Sequence, residues 1–292
     1  MLWAILAFLG AVLDAGYYAL AKRALPALEN EVLAAGAFLA ASALLFLVSL
    51  ARGIPEVSPA LIRPVLITGT INIVAAFLVF SALRRTDLSL AVPIITFTLV
   101  FLAGTSYLVL GEIPTVAGMA GILLIVLGAF VIQISPGRSG PSLDRTRWRG
   151  IAIMLTVAFL YSLSLPFDKA VVLASDAIFG SALVCLYIGG VFGAIVFMRR
   201  SWRQVPPGAA LSSVLLLGLV LAGETIAINV AYTLQIVPYV IAVKRLSILF
   251  SVLIGGLVFR ETGMRYRIHG ALIMMGGVAL IVLTTVPGSI LS

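Results

Sequence analysis

Apolar residues fill the chain in runs of about 20, broken by short stretches that carry Pro, Gly or charge. Runs of that length are what an α-helix needs to cross the hydrocarbon core of a bilayer, whereas a membrane barrel would show shorter, alternating segments. The pattern predicts ten spans, at roughly 2–22, 32–51, 62–83, 89–110, 114–134, 149–169, 177–198, 209–233, 237–259 and 266–286. The breaks between them include RGIPEVSP, RRTDLS and RRSWRQVPPG. The opening run, MLWAILAFLG, has neither a basic leader nor a small-residue cleavage site, so it is expected to be a first span and not a removable signal. The fold class expected is an all-α integral membrane protein with ten transmembrane helices.

The longest polar stretch, SPGRSGPSLDRTRWR from Ser135, divides the spans into two sets of five. This predicts a first unit over 1–134, a linker over 135–148 and a second unit over 149–292. The units repeat. Glu112 and Glu261 lie 149 apart, and at that offset LVLGE falls on LVFRE, Gly121 on Gly270, Gly128 on Gly277 and Ala82 on Ala231. An offset of 147 sets Lys22 on Lys169. Distributed similarity of this kind reads as an internal duplication. An odd number of spans per unit inverts the second copy relative to the first, the inverted-repeat architecture of secondary transporters.

Composition agrees with the span pattern. The chain has 292 residues, 62% hydrophobic and 10% charged, with a mean hydropathy of +1.21, far from the roughly 25% charged residues of a soluble domain. The net charge of +8 sits mostly in the short connections, where it meets lipid headgroups and sets orientation, so no nucleic-acid partner is expected. The loops after odd-numbered spans hold most of the Lys and Arg, which puts the termini on the non-cytoplasmic side by the positive-inside rule.

Charge inside the spans carries the chemistry. Lys244 and Arg245 stand side by side in the ninth span, where a charge costs about 2.5–3.5 kcal/mol on insertion scales. Asp14 and Glu224 lie near the middle of the first and eighth spans. At the repeat offsets these residues fall on Tyr161, Ala75, Ile95 and Thr96, so none of the four charges is shared scaffold. The repeated Lys22, Lys169, Glu112 and Glu261 read instead as structural ends of spans, lysines reaching for the interface and glutamates beginning the last helix of each unit.

Spans eight and nine turn near Gln235, with Glu224 about 11 residues before the turn and Lys244 and Arg245 8 or 9 after it. At 1.5 Å per residue their depths differ by about 3–5 Å, so Glu224 is expected to pair with Lys244 or Arg245. Such a pair either locks the hairpin or opens to substrate or proton. Tyr17 and Tyr18 share a helical face with Asp14, which suits either a cationic ligand or a tyrosine hydroxyl satisfying the carboxylate. Asn72, Asn229, Tyr232, Ser162, Ser164, Ser247 and Ser251 add polar groups that serve a pathway or hold helices together. The residues expected along a substrate or ion pathway are thus Asp14, Tyr17, Tyr18, Asn72, Tyr161, Ser164, Glu224, Asn229, Lys244, Arg245 and Ser247. Gly118, Gly121, Gly128, Gly270, Gly276 and Gly277 are expected to allow close helix packing.

The single cysteine, Cys185, excludes an internal disulfide, and the single histidine, His269, falls at the start of the last span, where an interfacial position is expected. No P-loop, HExxH or GxSxG motif occurs. No enzyme activity, cofactor, metal site or ATPase partner is expected; the expected partners are a small-molecule substrate, the lipid bilayer and, where transport is coupled, protons.

The ten spans, the duplication, LVLGE, and KRLSILFSVLIGGLVFRE in span nine resemble the drug/metabolite transporter superfamily, in its EamA-type branch. The first span, with Asp14 after GAVL and eight residues before Lys22, is also similar to that of the small multidrug-resistance exporters, whose corresponding glutamate binds proton and cationic drug. Here the acid is aspartate and Tyr161 replaces it in the second unit, so one copy of that site remains at most. The resemblance implies a site between the units, alternating access and cytoplasmic termini (opposite to the loop charges). No organelle-targeting segment is visible in the sequence, so a prokaryotic inner membrane is expected. The expected activity is export of a small polar or zwitterionic metabolite such as an amino acid. The alternatives are a cationic drug or metabolite exporter, an antiporter of nucleotide sugars or phosphorylated metabolites, and a non-transporting membrane protein of the same fold.

Overall fold

The structure, a computed structural model, describes residues 1–24, 28–83, 95–133, 145–201, 209–250 and 264–285. Glu261, Ser251, the linker up to residue 144 and several basic loop residues lie outside that set, as do the side chains of Tyr18 and Lys22. Among the described residues every regular element is helical. In chain order these are α1 (Leu2–Ala24), α2 (Asn30–Arg52), a 3₁₀ turn (Pro59–Leu61), α3 (Ile62–Leu83), α4 (Thr98–Leu110), α5 (Val116–Gln133), α6 (Arg145–Ala174), α7 (Phe179–Arg199), α8 (Ala209–Leu234), α9 (Val237–Lys244) and α10 (Met264–Thr284). Among the described residues six helices are long and apolar enough to cross a membrane, and Thr98–Leu110, Val116–Ile132 and His269–Thr284 are shorter apolar helices. The chain is a multi-pass integral membrane protein. Large apolar side chains such as Leu47, Leu127, Leu219 and Leu272 point outward, as lipid-facing residues must.

Local chemistry explains where the helices stop. Gly53 and Gly111 follow α2 and α4 with φ of 93° and 71°, values a residue with a side chain resists. Asp176 Oδ1 accepts the N–H groups of Ile178 (2.9 Å) and Phe179 (2.5 Å) and so starts α7.

α2 packs on α7, α5 on α10, α1 on α8, α3 on α6, α2 on α8 and α3 on α7. α2 and α7 run antiparallel: Ser42 Oγ donates to Ala182 O at 2.9 Å, and Arg199 reaches Glu31 at 2.7 Å from the other end. α5 and α10 also run antiparallel, meeting backbone to backbone at glycines. A Cβ on Gly121 would stand 2.7 Å from Gly277 O, and one on Gly277 2.6 Å from Gly121 O. One on Gly128 would stand 2.6 Å from Gly270 O, and one on Gly270 2.5 Å from Gly128 O. Gly276 differs from the expectation, for nothing lies within 4 Å of a Cβ placed there.

Two spans depart from the pattern. The helix over 149–169 was expected to end at Lys169; α6 instead runs through Pro166 to Ala174, because the proline's lost hydrogen bond is tolerable inside a packed bundle. The ninth span is not one even helix. α9 ends at Lys244, Leu246 N–H bonds back to Val243 O at 3.0 Å, and the chain is helical again over 247–250. These i→i+3 bonds tighten the helix locally, a feature often found at functional sites. The fourth span does the same at the position 149 residues earlier. Val100 and Phe101 N–H both bond to Phe97 O, as Leu249 and Phe250 N–H both bond to Leu246 O.

Candidate functional site

The charges from three helices converge. Lys244, at the end of α9, places Nζ 2.6 Å from Glu224 Oε1 on α8 and 3.7 Å from Asp14 Oδ1 on α1. The α8–α9 turn sets this register: Gln235 N–H bonds to Ala231 O, and Pro238 in the first turn starts α9 two residues later. Of the two expected partners, Glu224 takes Lys244 and not Arg245. The side chains keep exposures of 20% for Lys244, 14% for Asp14 and 11% for Glu224, so the cluster is enclosed but not sealed.

Arg245, one residue on, makes no ion pair among the described residues, and its Nε is buried with no acceptor. Tyr161 lies within electrostatic reach of Arg245, Lys244 and Asp14. Tyr17 lies within reach of Tyr161, Glu224 and Asp14. Asp14 and Tyr161 therefore lie within electrostatic reach of each other. Ser247 is buried just past the change of pitch. Tyr18 lies on α1 with a side chain outside the described set.

The other candidates separate. Asn72 and Ser164 belong to a hydrogen-bonded chain between α3 and α6. Asn72 Nδ2 donates to Ser164 Oγ at 2.7 Å, Ser164 Oγ is 2.8 Å from Thr68 Oγ1, and Thr68 Oγ1 donates to Asp168 Oδ1 at 2.5 Å. Sequence reasoning missed Asp168 because it took the helix to end one residue later; with α6 reaching Ala174, Asp168 sits about 9 Å inside it. The missed signal was PFDK itself, a carboxylate between an apolar run and a second apolar stretch, VVLA. Asn229 turns elsewhere, donating to Ser181 Oγ on α7 at 2.5 Å, and serves to hold helices together. Ser162 does likewise: its hydroxyl bonds within its own helix at Phe159 O, and its carbonyl accepts Thr105 Oγ1 at 2.6 Å.

The repeated pair Glu112 and Lys169 corrects a further expectation. They do not end their spans independently: Lys169 Nζ is 2.6 Å from Glu112 Oε1 and donates to Gln235 O at 2.8 Å. Glu112 Oε2 accepts Ser106 Oγ at 2.6 Å and Val237 N–H at 2.8 Å. The carboxylate thus favours the N-terminus of α9 and not that of its own following helix. At the same end Tyr239 Oη accepts Thr115 N–H at 2.8 Å. This knot ties the segment between α4 and α5 to α6 and to the start of α9, at the end of the bundle that holds the α8–α9 turn. Among the described residues no group of three or more His, Cys, Asp or Glu converges to hold a metal ion.

Residues 1–134 match the family described as EamA-like transporters. The family is one of membrane transporters within the drug/metabolite transporter superfamily. A solved structure, named only "Crystal structure of protein", shares the fold over 95% of this chain and 95% of its own, with a TM-score of 0.78 and 17% identity. No curated protein matches the chain.

Proposed function

We propose that the chain is a secondary transporter of ten spans, built as two inverted five-helix repeats, that exports a small polar or zwitterionic metabolite such as an amino acid by alternating access. One observation carries the reading: Lys244 is held by Glu224 and Asp14 from two other helices, at the point where its own span changes pitch. Charge inside a membrane bundle is costly and marks pathways more often than scaffolds.

The direction of the helix pairs supports the inverted arrangement. Exchanging the units sends α1·α8 to α6·α3 and α2·α8 to α7·α3, while α2·α7 and α5·α10 return to themselves. A helix that packs antiparallel on its own repeat is related to it by a two-fold axis perpendicular to both, which for spanning helices lies in the membrane plane. The glycine contacts obey that exchange: Gly121 with Gly277 becomes Gly270 with Gly128.

In this reading Asp14 exchanges a proton or yields Lys244 during transport, and Arg245, which has no carboxylate partner among the described residues, receives the anionic end of the cargo, where a guanidinium offers bidentate contact. A prokaryotic cytoplasmic membrane is the proposed location. A second reading, export of an organic cation, gains from the same geometry, since Glu224 neutralises the lysine that would repel such cargo. Counterflow in proteoliposomes separates them: a labelled amino acid exchanges under the first reading, and an amine without a carboxylate under the second. Asp14→Asn is expected to abolish pH-driven flux in folded protein; retained pH-driven flux removes Asp14 from the coupling role.

A further inference from the structure

Asp168 is the intramembrane carboxylate to which the ion-paired cluster gives no cation. Among the described residues it has none within 4 Å, because Lys244 is occupied by Glu224 and Asp14, and Lys169 points to Glu112. Its one hydrogen bond comes from Thr68, the end of a chain in which each donor is consumed by the next acceptor, from Asn72 through Ser164 and Thr68. The chain fixes the carboxylate's orientation yet satisfies one oxygen only. A carboxylate accepts at about four lone-pair sites, and this half-buried one keeps an oxygen without a hydrogen-bond partner among the described residues. At the repeat offset that sets Lys22 on Lys169, Asp168 falls on Ala21, so the scaffold does not require an acid here.

A second polar group points the same way. Tyr232 is 1% exposed and its hydroxyl has no hydrogen-bond partner. Asp168, Glu224, Glu112 and Arg245 all act on it electrostatically. Lys244 and Glu224 likewise act on Asp168. The carboxylate and the unpartnered hydroxyl thus lie within electrostatic reach of each other, and Arg245, which has no ion pair among the described residues, acts on the same hydroxyl. Buried polar groups without partners need an explanation, and a bound ligand supplies one.

We propose that Asp168, oriented by Thr68, receives the protonated amine of the transported compound, while the Asp14–Lys244–Glu224 cluster stays outside direct recognition of that amine. The assignment rests on the transporter reading above and names the part of the cargo that reading leaves open.

The test is a thermal-shift titration of the purified full-length protein with three matched sets: α-amino acids, the corresponding amines lacking the carboxylate, and the corresponding acids lacking the amine. Wild type is expected to bind at least one amine-bearing compound. Asp168→Asn is expected to weaken that compound about thirtyfold, the loss typical of a charge-assisted hydrogen bond, while the matched deaminated acid changes less than twofold. Thr68→Val keeps the carboxylate and removes its oriented donor; it is expected to weaken the same compound about tenfold, and it serves where Asp168→Asn does not fold. Unchanged affinity for the amine-bearing compound in folded Asp168→Asn overturns the assignment and leaves the transporter reading standing. Equal loss of the amine-bearing compound and the deaminated acid also overturns it, since that is the mark of a structural role. Binding of the acids alone by wild type, or of none of the three sets, overturns both the assignment and the zwitterion reading.

Discussion

Lys244 Nζ stands 2.6 Å from Glu224 Oε1 across the α8–α9 hairpin, and Asp14 Oδ1 from α1 approaches the same nitrogen at 3.7 Å. The two carboxylates are not equivalent. Removing Lys244 leaves both without a cation, whereas removing Glu224 leaves Lys244 with Asp14 as a replacement. Lys244→Met is therefore expected to cost about 3–5 kcal/mol of stability, the figure for breaking a buried pair by deleting one member. Glu224→Gln is expected to cost less, about 1–3 kcal/mol. The double variant should recover most of the loss, and thermal unfolding in detergent, read as a double-mutant cycle, measures this. A purely additive cycle would mean that the pair is not energetically coupled.

The glycines of α5 and α10 give a prediction with its own control. Gly128→Ala puts a methyl within 2.6 Å of Gly270 O, where only backbone movement can relieve it. Overpacking of this kind costs about 1–3 kcal/mol. Gly276→Ala, one residue from a packed glycine, meets nothing within 4 Å and is expected to leave the melting temperature unchanged or slightly raised. Equal effects at the two positions would contradict the interhelix contact.

The Glu112–Lys169 knot makes a prediction about access. Glu112→Gln weakens a carboxylate that holds Lys169, Ser106 and the first N–H of α9 together. In a Cys185→Ser background carrying Gln235→Cys, the rate of modification by a membrane-impermeant maleimide is expected to rise several-fold when Glu112→Gln is added. An unchanged rate would show that the knot does not restrain that end of the bundle.

The sequence made the helical class legible and narrowed the partner of Glu224 to Lys244 or Arg245, and the reasons differ. Twenty-residue apolar runs force helices because backbone groups in lipid must bond within their own segment. The Glu224 pairing followed from counting residues on either side of one tight turn. Asp168 was not legible, because Pro166 looks like the end of a helix and the bundle carries the helix past it. Nor was the pairing of Glu112 with Lys169, since each repeats in the chain and repetition says nothing about which copies meet. The change of pitch at Arg245 and Leu246 leaves no composition signal at all, for the residues around it are ordinary helix formers.

The central claim is that the Lys244–Glu224 pair opens during transport, and one variant tests it most directly. Glu224→Gln with Lys244→Met removes the two charges of the pair and leaves Asp14 as the one carboxylate of the cluster, so the double variant should regain most of the stability that Lys244→Met alone loses. Measured in proteoliposomes by counterflow of whichever compound wild type carries, the account predicts that this stable double variant transports at less than a tenth of the wild-type rate. Transport at the wild-type rate would contradict it and reduce the pair to a static lock between helices.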